Sequence, residues 1–343
     1  MSERMRTAGV VVDVDADTEY WSEVVREAWG GPEPFPGARP LVGGDAAEVP
    51  DVRVTLARTG ATEPGPRHHP LTRGAWSDGR EVILHDACAS GLDLLVRPTD
   101  SGLDVVVRPR PGWRHRTLGV LAPDRRLLLH RAVVVQYPAM WWAGVKGRVP
   151  LHVSAATVGG VAVVLAGPGG VGKSTLVATL DGECDVPVSD NLCVSDGVAV
   201  HGLLEPVRAL GGSGRRMPHG RRESSWACRV ESVVPDAVVV LRRGDQTDPV
   251  VRRLGADSAA RELVGGTYAA GELRRYWAFA ATLALGTGCG PAHPPVASVA
   301  ESLAHARRAY EVLLPSSPGV TLRDLVAQLR VSAEPAVDGS PLP

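Results

Sequence analysis

The sequence predicts an α/β (α+β) protein in two parts, a β-rich N-terminal domain over residues 1–135 and a second, α/β domain over 149–331. Three observations carry that expectation. Short β-branched stretches alternate with Gly/Pro-rich connections through the first 135 residues. The stretch GPGGVGKST (167–175) stands between an apolar strand and a helical segment. A chain of 343 residues has room for about two domains.

The elements follow in order. GVVVDVDA (9–16), DVRVTLAR (51–58), REVILHD (80–86), LDLLVRP (92–98), GLDVVVRP (102–109) and RLLLHRAVVVQ (126–136) predict strands, from alternation or β-branched content. TEYWSEVVREAW (18–29) has helical spacing, and Pro and Gly recur too often in 30–44 for either regular element. His68 and His69 read as an inert surface pair in a Pro-rich loop. The connecting segment 136–148 carries Trp141 and Trp142 on a short helix, expected to pack between the two domains.

VPLHVSAATV (149–158) and VAVVLAG (161–167) predict a hairpin turning at Gly159-Gly160, and STLVATL (174–180) a helix. Beyond lie VPVSDNLCVSDGVAVHG (186–202), an Arg-rich stretch (208–229), the strand DAVVVLRR (236–243), helical segments near 256–284 and 296–314, and a last helix at 321–330. The tail 332–343 reads as disordered.

Composition narrows the function. The net charge of −1 gives no basic field for nucleic acid or an anionic membrane. No run of 18 apolar residues exists and the N-terminus lacks a signal-peptide core, so the expected location is cytoplasmic, with no membrane partner. Five scattered cysteines without a CxxC read as buried free thiols. Of 37 basic residues only Lys146 and Lys173 are lysine. Where lysine codons are avoided, a surviving lysine suggests a place that arginine's broad fork cannot fill.

Lys173 belongs to GPGGVGKS, which fits G-x-x-x-x-G-K-[ST] residue for residue. The set Gly167, Gly169, Gly170, Val171, Gly172, Lys173, Ser174 and Thr175 would bind nucleotide. Glycines turn backbone N–H groups onto phosphates, Lys173 reaches the β- and γ-phosphates, and the Ser174 hydroxyl ligates Mg²⁺. No N-K-x-D base reader follows, and the strongest later strand, AVVVL, ends in Arg242-Arg243 rather than a carboxylate. The nearest usable carboxylate is Asp190, 17 residues past Lys173. Asp196, before Gly197, reads as a turn residue.

The run from His152 to Asn191 resembles the C-terminal catalytic domain of the HPr kinase/phosphorylase family: a His opening a strand, a hairpin, the phosphate loop, a helix, and a short strand ending in an acidic pair. His152 stands 15 positions before Gly167. The resemblance covers 149–331, is specific over 149–191 and loose afterwards, and does not extend to the first 135 residues. It implies a phosphoenolpyruvate-carboxykinase-like P-loop fold, ATP and Mg²⁺ as cofactors, and transfer to a serine or threonine hydroxyl of a small protein or peptide. It also implies that Asp190 acts on the acceptor hydroxyl or supports the metal, with His152 beside the transferred phosphate.

Asn191 departs from the pattern, since the family places a second Asp there. Three readings stay open: the peptide kinase, a kinase of a small-molecule hydroxyl, and a catalytically silent nucleotide-binding regulator. Arg208, Arg215, Arg216, Arg221, Arg222 and His219 would form an arginine clamp, meet an acidic partner, or lie in a solvated loop. The sequence leaves homo-oligomerisation open.

Overall fold

The computed structural model describes residues 2–16, 21–22, 24–25, 49–57, 62–110, 112, 121–180, 185–210, 216, 221–226, 228–316 and 319–331. Of the expected helix 18–29, Trp21, Ser22, Val24 and Val25 are helical; its remainder, the loop 30–44 and the tail 332–343 lie outside the described residues.

The first third of the chain builds an eight-stranded mixed sheet. Its strands are β1 (Ser2–Thr7), β2 (Val10–Asp15), β3 (Val52–Leu56), β4 (His69–Thr72), β5 (Ala75–Ser77), β6 (Val82–Leu84), β7 (Leu92–Pro98) and β8 (Leu103–Pro109), in the order β1-β2-β3-β8-β7-β6-β5-β4. β3 lies parallel to both neighbours, and the other pairs are antiparallel. Period-2 alternation is explicit in β3, where Val52, Val54 and Leu56 are buried and Arg53 and Thr55 exposed.

Residues 126–136 are helical, not the expected strand. Helix α1 (Pro123–Arg131) passes through a π-helical segment, Ala132–Gln136, directly into α2 (Tyr137–Val145). A continuous apolar run does not specify its own period. Here Pro123 stands in the first turn, where its missing N–H costs nothing, and Pro138, which donates no backbone hydrogen bond, stands just past the π-helical segment, where α2 begins. Trp141 and Trp142 of α2 are buried, in the same apolar cluster as the eight-stranded sheet.

Next come β9 (Val149–Leu151), β10 (Ser154–Val158), β11 (Val161–Ala166), α3 (Lys173–Ala178), β12 (Val186–Ser189), β13 (Cys193–Ser195), β14 (Val200–Gly202), β15 (Val207–Leu210) and β16 (Arg221–Ser224). They are followed by β17 (Ser232–Val233), β18 (Ala237–Arg243), β19 (Val250–Arg253), α4 (Ala256–Ala269), α5 (Arg274–Thr287), α6 (Val296–His305), β20 (Arg308–Leu314) and α7 (Leu322–Val331). A six-stranded sheet runs β12-β10-β11-β18-β20-β19, a four-stranded sheet runs β17-β14-β13-β9, and β15 pairs with β16. The expected helix at 296–314 therefore ends at His305, and 308–314 is a strand lying between β18 and β19. Its Ala, Glu and Leu favour helix, but pairing with β18 overrides that preference.

β11 and β18 are parallel neighbours, buried on both faces, which is why both read as unbroken apolar runs. Alternate residues face different cores. Val163, Leu165, Val239 and Leu241 join the cluster that continues into α2, α7 and the eight-stranded sheet. Val164, Ala166, Val238 and Val240 join a second cluster beneath α4 and α6. α5 crosses β4–β6 at Gly286, where a Cβ would collide with Val82 and Leu71.

Candidate functional site

β11 ends at Ala166 and the chain turns through 167–172 into α3. The turn is possible because Gly167 (φ +135°), Gly170 (φ +82°) and Gly172 (φ +122°) occupy conformations that L side chains rarely adopt. A Cβ on Gly167 would lie 2.6 Å from the Leu241 carbonyl of the neighbouring strand, so the loop is seated on β18. By contrast, nothing lies within 4 Å of where a Cβ would stand on Gly169 or Gly170. Val171 is buried beneath the loop, and Thr175 is exposed on the first turn of α3.

Lys173 is buried, and its Nζ donates to the carbonyls of Gly167 (2.7 Å) and Pro168 (3.2 Å). The Ser174 hydroxyl donates to the Asp190 carbonyl at 3.2 Å, and Ser154 donates to the same oxygen at 2.5 Å. Asp190 itself is fully buried, and its Oδ2 accepts the Arg208 backbone N–H at 2.9 Å. The phosphate-loop helix thus meets the Asp190 backbone directly, while the carboxylate accepts the Arg208 N–H. The Asn191 side chain is also buried, and its Nδ2 has no hydrogen-bond partner among the described residues.

His152 follows β9 and is held by the end of α4. Its backbone N–H donates to Thr267 Oγ1 (3.1 Å) and its Nδ1 lies 3.1 Å from the Gly266 carbonyl, so Nδ1 carries the proton. Burial, reinforced by the Lys173 charge, lowers its pKa below the ordinary histidine value. His152, Lys173, Ser174 and Asp190 are therefore brought to one place.

Sequence reasoning missed two carboxylates in that place, Glu205 and Glu272. Arg208 on β15 joins them, donating from Nη2 to Glu205 Oε2 (3.2 Å) and from Nη1 to Glu272 Oε1 (2.9 Å). Glu205 is 2% exposed, and burial pushes its carboxyl up to about 7, with neighbouring Asp190 adding to the shift against the pull of Arg208. Burial works most strongly against ionisation of Glu272, but the charge and hydrogen bond of Arg208, a backbone hydrogen bond and His152 together hold that carboxyl below the usual range. Behind them Arg131 and Glu223 form a buried ion pair at 3.3 Å. The available signal was local: Glu205 is a lone charge inside the apolar run GLLEPV.

Of the arginine cluster, Arg208 meets acidic partners and Arg216 is exposed. Arg215, His219 and the Arg221 side chain lie outside the described residues. Asp196 accepts the backbone N–H groups of Val198 and Ala199, as a turn residue does.

His68, Asp78 and Glu81 come within metal-ligand distance of one another, but their atoms are engaged. His68 accepts from the Gly65 N–H and faces Glu81, Glu81 is held by Arg97, and Asp78 accepts two backbone N–H groups. The described cysteines form no disulfide; Cys193 is buried, its thiol pushed up to about 12 by burial, whereas Cys88, Cys228 and Cys289 are only half-buried.

No family model matches the chain, and no curated protein matches it. Among solved structures it is similar to the HPr(Ser) kinase/phosphatase from Coxiella burnetii, at 12% identity and a TM-score of 0.27 over 53% of this chain and 88% of that one. So low a TM-score fixes no residue correspondence. No helix among the described residues is long and apolar enough to cross a membrane.

Proposed function

We propose that the chain is an ATP- and Mg²⁺-dependent kinase that phosphorylates a serine or threonine hydroxyl of a small protein or peptide, on a phosphoenolpyruvate-carboxykinase-like P-loop domain over 149–331. The observation that carries this reading is the hydrogen bond from Ser174, in the phosphate-loop helix, to the backbone carbonyl of Asp190, which brings that buried acidic residue beside the loop.

The donor set suits the cofactors. The Ser174 hydroxyl, the Asp190 carboxylate, and behind them Glu205 are oxygen ligands of the kind a hard divalent cation takes. The open faces of Gly169 and Gly170, together with buried Lys173, suit an anionic phosphate chain. Bound Mg²⁺ would neutralise charge on the phosphates. Lys173 would exchange its contacts with two loop carbonyls for phosphate oxygens. Asp190, fixed by the Arg208 N–H, would orient the acceptor hydroxyl and draw its proton, and neutral His152 offers Nε2 as a second acceptor. Phosphoryl transfer needs positioning and charge neutralisation more than a strong base, so one well-held carboxylate suffices. Asn191 favours a second reading, a nucleotide-binding regulator without turnover, because an amide adds no charge at the metal.

Mass spectrometry of the protein with ATP, Mg²⁺ and the small proteins or peptides encoded beside its gene tests both. The kinase adds one phosphate to an acceptor. Lys173→Ala abolishes this together with ATP binding, and Asp190→Ala retains ATP binding while slowing transfer roughly 10²–10³-fold. ATP binding without ADP or phosphorylated product would establish the regulator instead.

A further inference from the structure

The end of α4 that holds His152 continues into a cluster of rings that the phosphate chemistry leaves unused. Thr267 and Gly266 face His152; Tyr268, the next residue, lies 42% exposed on another side of the helix. Its ring centroid is 5.3 Å from Trp277, at the start of α5, and 5.8 Å from His293, with the hydroxyl 3.2 Å from His293 Nε2. Trp277 and His293 lie nearly parallel, 9° apart. His293 is exposed and Trp277 half-buried, its indole N–H turned inward and without a hydrogen-bond partner among the described residues. Rings with a polar tip and one open side are the residues that dominate binding surfaces.

Charge accompanies the rings. Arg274 stands one turn before Trp277 on the same face of α5, and Arg275 follows it; both are exposed, and neither has an ion-pair partner among the described residues. The carboxylate closest in sequence, Glu272, is already bound to Arg208. A ring surface flanked by uncommitted guanidinium groups complements an anionic segment bearing a flat or large apolar side chain.

We propose that Tyr268, Trp277, His293 and Arg274 form the docking surface for the acceptor, an acidic peptide segment with an aromatic residue beside the serine. This rests on the kinase reading and names the acceptor's chemistry. The surface begins one residue beyond Gly266 and Thr267, which hold His152.

The probe is a fluorescein-labelled synthetic peptide in which serine follows tryptophan within a run of Asp and Glu, compared by anisotropy with versions carrying Ala for Trp or Lys for the acids. The full-length protein should bind the first at least about fivefold better than either control. Tyr268→Ala and Arg274→Glu, both at exposed positions, should weaken it about tenfold while ATP affinity stays within about twofold. Binding that ignores the peptide's charge, or is absent, or survives both substitutions overturns the proposal. So does a loss of ATP affinity in Tyr268→Ala, which would assign the rings to the nucleobase. Anisotropy needs no nucleotide, so failure of the wild type to bind ATP would sink the kinase reading separately.

Discussion

Asp93 in the eight-stranded sheet and Glu205 beside the phosphate loop are both 2% exposed, yet their surroundings differ. Asp93 accepts the Asp86 backbone N–H at 2.9 Å and the Arg110 guanidinium at 3.0 Å on each oxygen. The Glu205 carboxylate has one hydrogen-bond partner among the described residues, Arg208 on Oε2, while its Oε1 has none and Asp190 and Glu272 crowd it with like charge. Burial alone therefore does not set what a carboxylate does. Completed hydrogen bonds make Asp93 a structural part, whereas their incompleteness leaves Glu205 near its titration point at neutral pH. That second condition is what catalytic and metal sites share.

Removing each carboxylate tests the contrast. Asp93→Ala deletes the acceptor for the N–H of half-buried Asp86 and for Arg110, which at 42% exposure can turn to water. The expected loss is about 2–3 kcal/mol in urea denaturation, with ATP affinity unchanged. A loss below about 0.5 kcal/mol would place Asp93 with ordinary surface pairs.

Glu205→Gln is expected to act in the opposite sense. Burial pushes the folded carboxyl up to about 7 from its ordinary value of 4.5. Between those values the folded state holds a proton that the unfolded state has released, so wild-type stability falls as pH rises through that window. Glutamine does not titrate. The melting temperature of Glu205→Gln should therefore gain on the wild type between pH 5 and pH 8, by on the order of a few degrees. A difference independent of pH would show that Arg208 keeps Glu205 ionised throughout.

The same contrast explains what sequence reading reached. The phosphate loop is a local object: its glycines, Lys173 and Ser174 are fixed by spacing within nine residues, 167–175, and the short interval to Asp190 kept that carboxylate within reach. Glu205, Arg208 and Glu272 meet only because β15 and the α4–α5 corner fold over Asp190, and no period or spacing encodes that meeting. The helical run through 132–136 and the strand at 308–314 were misread for a related reason, since both are buried stretches whose partners decide their conformation. β4 and β5, at four and three residues, are too short for alternation to register.

The two lysines close the comparison between a surface role and a buried one. Scarcity alone would single out both as irreplaceable, but the structure separates them. Lys173 is 5% exposed and fits its ammonium between two loop carbonyls. Lys146 caps the end of α2 and pairs with Asp51, its side chain 40% exposed. An exposed pair of that kind contributes little, and arginine can make it equally well. Lys146→Arg should therefore shift unfolding by less than about 0.5 kcal/mol and leave ATP binding untouched, as chemical denaturation and nucleotide titration would show. A larger effect would mean that the Lys146–Asp51 contact locks β3 to α2 in a way arginine's fork cannot, and that lysine scarcity was marking a structural constraint as well as a phosphate contact.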